Sequence, residues 1–191
     1  MSSITTIEQA LSLIENDSSK VLGLKIGSHT IKPGQYIPRA EANKTRRPIT
    51  PDLTLPSNTT DKTYIAISLD IDAPFPSLPI LGPILHWIQP GIRLQQTPYS
   101  PSSPSSSSSS TLQPTAPFVA NYIGPAPPPG SAPHRYVFLL YEQPEGFAGE
   151  RYAPKDGREL SNWYRMRFDL GEWGRGVGLG DFAVGNWFVG N

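Results

Sequence analysis

The stretch from Tyr64 to Asp72, YIAISLDID, constrains the fold more than any other part of the chain. Ile65, Ile67, Leu69 and Ile71 fall on one side of an extended backbone. Tyr64, Ala66, Ser68, Asp70 and Asp72 fall on the other. A period of two predicts a strand, apolar enough to lie inside a sheet, and Pro74 and Pro76 stop it. Its end carries two carboxylates on one face. Carboxylates are rarely buried without partners, so Asp70 and Asp72 either mark the wet end of the strand or line something.

Other segments predict a β-rich chain. Ile84 to Gln89 reads as a second strand with His86 inside it, and His134 to Gln143 as a third. In the third, Tyr136, Phe138 and Leu140 alternate with Arg135, Val137, Leu139 and Tyr141. Residues 21–42 alternate loosely between glycines and prolines, as short strands joined by turns, and residues 181–191 read as a closing strand. Ile4, Ile7, Leu11 and Ile14 make one face of an N-terminal helix, with Thr5 and Glu8 as a capping box. Asp169 is placed to cap a helix starting at Leu170. Residues 43–56 read as a surface loop carrying Lys44, Arg46 and Arg47. Residues 97–117 have the low complexity of a flexible Ser/Pro segment. Neither flank of that segment makes a fold alone, so residues 1–191 read as one domain with a long loop.

Composition excludes several functions. Lys plus Arg and Asp plus Glu both total 16, so bulk charge offers nothing to nucleic acid or an anionic surface. Cysteine is absent, which removes disulfides, thiolate metal sites and a cysteine nucleophile. The N-terminus has no basic region followed by a long apolar one, and no segment approaches the roughly 18 apolar residues of a membrane span. A cytoplasmic protein with no transmembrane segment is expected. GRGVGLG, residues 174–180, lacks the following helix that a phosphate loop needs, so it reads as a chain reversal. No metal or cofactor motif is present, and two histidines with two aspartates lack the spacing of a local zinc site. His29 sits in a turn-rich region and reads as exposed. His86 and His134 lie at or within apolar strands, beside Trp87 and near Tyr136. An acid bonded to one ring nitrogen would fix a histidine tautomer and present the other nitrogen to a ligand.

SLDIDAP, then ILHWI, then GPAPPPGSAPHRYVFLLYEQ, in that order, resemble the phosphatidylethanolamine-binding protein family, and GPILHWIQPG is similar to its fungal branch. The resemblance implies a mainly β fold: a large central antiparallel sheet packed on a smaller sheet, with short peripheral helices. It implies a small pocket for phosphate-like or carboxylate anions, using Asp70, Pro74, His86 and Tyr136. Asp72 and His134 would lie beside it, and the Pro-rich loop near Ala126 would form a wall. Asp70 would hold His86 in a chosen tautomer, or meet an ammonium while the histidine meets a phosphate, and Arg135, on the opposite face, would pair with a carboxylate. Three positions depart from the family pattern. Ile71 stands where proline is usual, Ala132 where glycine is usual, and Ala126 where many members have a smaller residue. Two added methyl groups would narrow or reshape the cavity.

Two functions follow from the resemblance. One is a binding module for a small anionic ligand or lipid headgroup that regulates a protease, a kinase or a biosynthetic partner protein. The alternative is an enzyme of fungal secondary metabolism that dimerises maleic-anhydride-type polyketide units. There His86 would be the base, Asp70 its orienter, and His134 or Tyr136 the donor to the developing oxyanion.

Overall fold

The computed structural model describes residues 3–38, 51–56, 62–96 and 110–191. Lys44, Arg46, Arg47 and residues 97–109 of the Ser/Pro segment lie outside the described residues. The strands are β1 (Gly23–Ile26), β2 (His29–Ile31), β3 (Gln35–Ile37), β4 (Asp52–Thr54), β5 (Thr63–Asp70), β6 (Ile84–Gln96), β7 (Ser110–Pro114), β8 (His134–Glu142) and β9 (Phe182–Gly190). They form one sheet in the order β2-β1-β4-β7-β6-β5-β8-β9-β3. Its pairings are antiparallel except β3 with β9. Two α-helices are described, α1 (Ser3–Asn16) and α2 (Leu170–Val177).

The alternation of β5 feeds two cores, one on each face of the sheet. Ile65, Ile67 and Leu69 pack with Val137, Leu139 and the apolar stripe of α1: Ile7, Ala10, Leu11 and Ile14. Tyr64 and Ala66 pack with Tyr136, Phe138 and Phe188, and with Leu24, Ile26 and Leu53 from β1 and β4. The second core requires the β2-β1-β4 end to fold back over the central strands. Buried Asn186 of β9 fastens it, donating to the carbonyls of Leu22 (2.7 Å) and Ile31 (3.2 Å). The smaller layer is therefore the curled end of the same sheet, continuous through the Leu53–Leu112 pairing of β4 with β7.

Several boundaries differ from the sequence reading. The helix already runs at Ser3, so Thr5 and Glu8 lie inside it and do not form a capping box. Asp52–Thr54, read as loop, is a strand because it pairs with β1. Ser110–Pro114, also read as loop, is β7, paired along the far half of β6. His29 begins β2 and is half-buried. Asp169 caps α2 as expected, accepting from the Glu172 amide at 2.8 Å. Gly178 ends α2 at φ 77°, the left-handed conformation that glycine adopts without strain.

Candidate functional site

The pocket lies where β5 ends and β6 and β8 begin. Asp70, the last residue of β5, sits opposite Ile84 of β6 and Tyr136 of β8. His134 precedes Tyr136 by two residues and so shares its face. His86 is brought in by an irregularity. Ser68 pairs with Trp87 and Leu69 with Leu85, which leaves His86 as the extra residue of a β-bulge. Leu85 consequently enters the helix-covered core while Trp87 enters the other. The His86 ring lies edge-on to Tyr136, 5.2 Å between centroids.

Asp70 pairs with His134, not with His86. Its Oδ2 lies 2.8 Å from His134 Nδ1, and its Oδ1 accepts from the Asp72 amide at 3.0 Å. His134 Nε2 lies 3.1 Å from the Pro74 carbonyl and 2.9 Å from Ser131 Oγ. A carboxylate and a carbonyl both accept, so this geometry suits a ring with hydrogen on both nitrogens. Burial alone would lower the His134 pKa, but the hydrogen bond and charge of Asp70, aided by Pro74 and Asp72, together raise it. His134 and Asp70 thus form a buried hydrogen-bonded pair that favours the charged form of the His134 ring.

His86 is the opposite case. Its Nδ1 donates to the Ile123 carbonyl at 2.8 Å. Burial holds its pKa below the ordinary histidine value, against the opposing charge of Asp70 and with Arg165 and His134 adding to the lowering. A neutral ring donating from Nδ1 carries its lone pair on Nε2. No hydrogen bond engages Nε2 among the described residues, and it is the ring atom left for a ligand.

The cavity has a volume of about 350 Å³, and Asp70, Pro74, His86, Ala126 and His134 are on its wall. Asp72 is not. Its buried carboxylate takes three bonds from Arg135: the amide at 2.8 Å, Nε at 2.9 Å and Nη2 at 2.6 Å. The strand ends at Asp70, so the alternation that put both acids on one face no longer applies at Asp72. Tyr136 is also off the wall; it stacks behind His134 and on Phe188 at 6.5 and 5.2 Å. Of the two alanines expected to reshape the cavity, Ala126 lines it and Ala132 does not. The sequence reading missed Leu81, Ile84, Ile123, Gly124, Asn162 and Met166 on the wall, and Arg165 behind it. A larger cavity of about 620 Å³ lies elsewhere, against Pro90, Phe118 and Phe147, and none of the histidines reaches it. Among the described residues no group of three or more His, Cys, Asp or Glu is placed to hold a metal, and no helix is long and apolar enough to cross a membrane.

Fold and site define a curled β-sheet protein with a small two-histidine pocket at one end of its central strands. The phosphatidylethanolamine-binding protein family model matches residues 27–187, and the chain belongs to that family. It is 42% identical over 55 residues to the carboxypeptidase Y inhibitor of Saccharomyces cerevisiae, 29% of this chain and 25% of that protein. It is 36% identical over 110 residues to phomoidride biosynthesis cluster protein N of Talaromyces stipitatus, 56% of this chain and 49% of that protein. The matches thus span a quarter and about half of those relatives. Among solved structures, the carboxypeptidase Y inhibitor complexed with its cognate proteinase matches with a TM-score of 0.66 at 22% identity, covering 99% of this chain and 94% of that one. A phosphatidylethanolamine-binding protein from Plasmodium vivax matches at 0.58 with 15% identity, covering 95% and 97%. At these identities the structural likeness shows the fold alone.

Proposed function

We propose that the pocket binds one small oxyanion, a phosphate or carboxylate on a free metabolite or a lipid headgroup, and that His86 takes up a proton as it does so. The carrying observation is the Nδ1 bond to Ile123, which leaves the His86 Nε2 lone pair as the open valence of the cavity. Where His134 holds its proton beside the Asp70 carboxylate the two charges offset, and a proton on His86 then gives the site one net positive charge. The wall is largely apolar, through Ala73, Leu81, Ile84 and Met166, and a charge-assisted hydrogen bond is stronger there than in water. The volume falls in the usual range for small ligands, roughly 300–1,000 Å³. Asp70 has both oxygens engaged, so it serves the pocket by holding His134 rather than by meeting an ammonium. Similarity to a carboxypeptidase Y inhibitor supports a second level of the same reading, in which the protein regulates a protein partner.

The similarity to a phomoidride biosynthesis cluster protein favours a catalytic reading of the same atoms. A neutral His86 would then abstract a proton from a carbon acid, and the His134 imidazolium would favour the developing negative charge. Calorimetric titration with inorganic phosphate, O-phosphoethanolamine and maleate, on wild type and His86→Ala, tests the binding reading. Saturable binding lost in the variant is expected, and equal binding by both proteins would overturn it. An anhydride precursor supplied to both tests the second reading. Product that forms equally with His86→Ala removes His86 as base.

A further inference from the structure

We propose that Arg165 is a positioning residue that fastens three walls of the pocket around the His86 ring. The inference rests on the reading of His86 as the ligand-binding group. Arg165 is fully buried, at 1% exposure, yet among the described residues its guanidinium bonds no carboxylate. Its acceptors are four backbone carbonyls and one amide. Nε donates to Leu160 at 3.0 Å. Nη1 faces the carbonyls of Leu85, His86 and Asn121 at 3.2, 3.4 and 3.1 Å. Nη2 donates to Asn121 Oδ1 at 2.6 Å.

These acceptors belong to separate walls. Leu85 and His86 are the bulge of β6. Asn121 lies two residues before Ile123, whose carbonyl fixes the His86 tautomer and whose amide donates back to the His86 carbonyl at 3.0 Å. Leu160 begins the segment that places Asn162 and Met166 on the wall, and its amide also donates to Asn121 Oδ1, at 2.9 Å. A bulge disrupts ladder pairing, so its carbonyls need another donor. Only a planar fork of several donors can serve all of them from one side chain, which explains arginine here instead of an apolar filler. The charge acts on the same ring. The groups facing His86 are Asp70 from β5, His134 and Tyr136 from β8, and Arg165, and Arg165 and His134 disfavour its protonation.

The test uses the full chain with Arg165→Met and, as a gentler variant, Asn121→Ala, which removes the Nη2 acceptor and leaves the guanidinium in place. Each is read by NMR titration of the His86 ring and by calorimetry with inorganic phosphate at a temperature where the protein is folded. The His86 midpoint should rise in Arg165→Met, and phosphate affinity should fall about tenfold or more in both, the scale seen when groups that orient a binding residue are removed. A purely structural role would lower the melting temperature and leave both readouts of the folded protein alone, and that result would overturn the proposal. Should Arg165→Met not fold, an unchanged phosphate affinity in Asn121→Ala would overturn it equally. If wild type binds no phosphate, the binding reading fails; the positioning role then stands if Asn121→Ala, which keeps the Arg165 charge, still moves the His86 midpoint, and falls if it does not.

Discussion

Replacing Asp70 with asparagine removes the carboxylate of the buried pair and keeps its size. The lost interaction is the 2.8 Å bond to His134 Nδ1, with the Oδ1 bond to the Asp72 amide kept in weaker, neutral form. A hydrogen bond to a charged group contributes about 1.5–3 kcal/mol, and a buried ion stripped of its partner costs about 3–5 kcal/mol. His134 can escape the larger cost by releasing its proton, so the smaller range applies. For a chain of this length each kcal/mol moves the melting temperature by about 2–4 °C, which gives a drop of about 3–12 °C. The sign with pH follows from the raised His134 pKa. The stabilisation is full below the unfolded value of about 6.5 and fades as pH rises through the folded midpoint, which lies higher. Thermal unfolding of wild type and Asp70→Asn should therefore diverge most in mild acid and converge in alkali. NMR titration should show the His134 midpoint falling more than that of His86, because only His134 bonds Asp70 directly. Equal melting temperatures in mild acid, or a larger fall at His86, would refute the pairing.

Other positions give sharper separations of role. Arg135→Ala should cost about 1–2 kcal/mol by chemical denaturation, discounted because the guanidinium is half-exposed, and should leave phosphate affinity unchanged since Asp72 is off the pocket wall. Ala126→Trp should abolish phosphate binding by filling the cavity while the melting temperature holds, because Ala126 is exposed as well as lining. Gly185→Ala should destabilise by about 1–3 kcal/mol, since its methyl would stand 2.8 Å from the Phe138 carbonyl, which cannot move without breaking the ladder.

The central strands were legible because alternation is a local signal. β5 and β8 sort their residues onto the two faces just as their spacing says, and Asp169 announces its helix by its own side chain. What was not legible depends on distant pairing. Asp52–Thr54 and Ser110–Pro114 carry little periodicity and become strands only because neighbours supply the ladder. The register of β5 against β8 decides that Asp70 meets His134, and no residue near either one encodes it. The bulge that turns His86 toward Tyr136 has no sequence mark, since Leu85, His86 and Trp87 read as plain alternation. Arg165 was invisible because its acceptors are backbone carbonyls and one amide, so no opposite charge in the sequence points to it.

Counting protons tests the reading of His86 most directly. Sulfate carries no proton of its own near neutral pH, so calorimetry of sulfate binding in two buffers of different ionisation enthalpy reports protons taken up by the protein alone. Uptake approaching one proton per sulfate, absent in His86→Ala, is the predicted result. Sulfate binding with no proton uptake, or with the same uptake in His86→Ala, would contradict it.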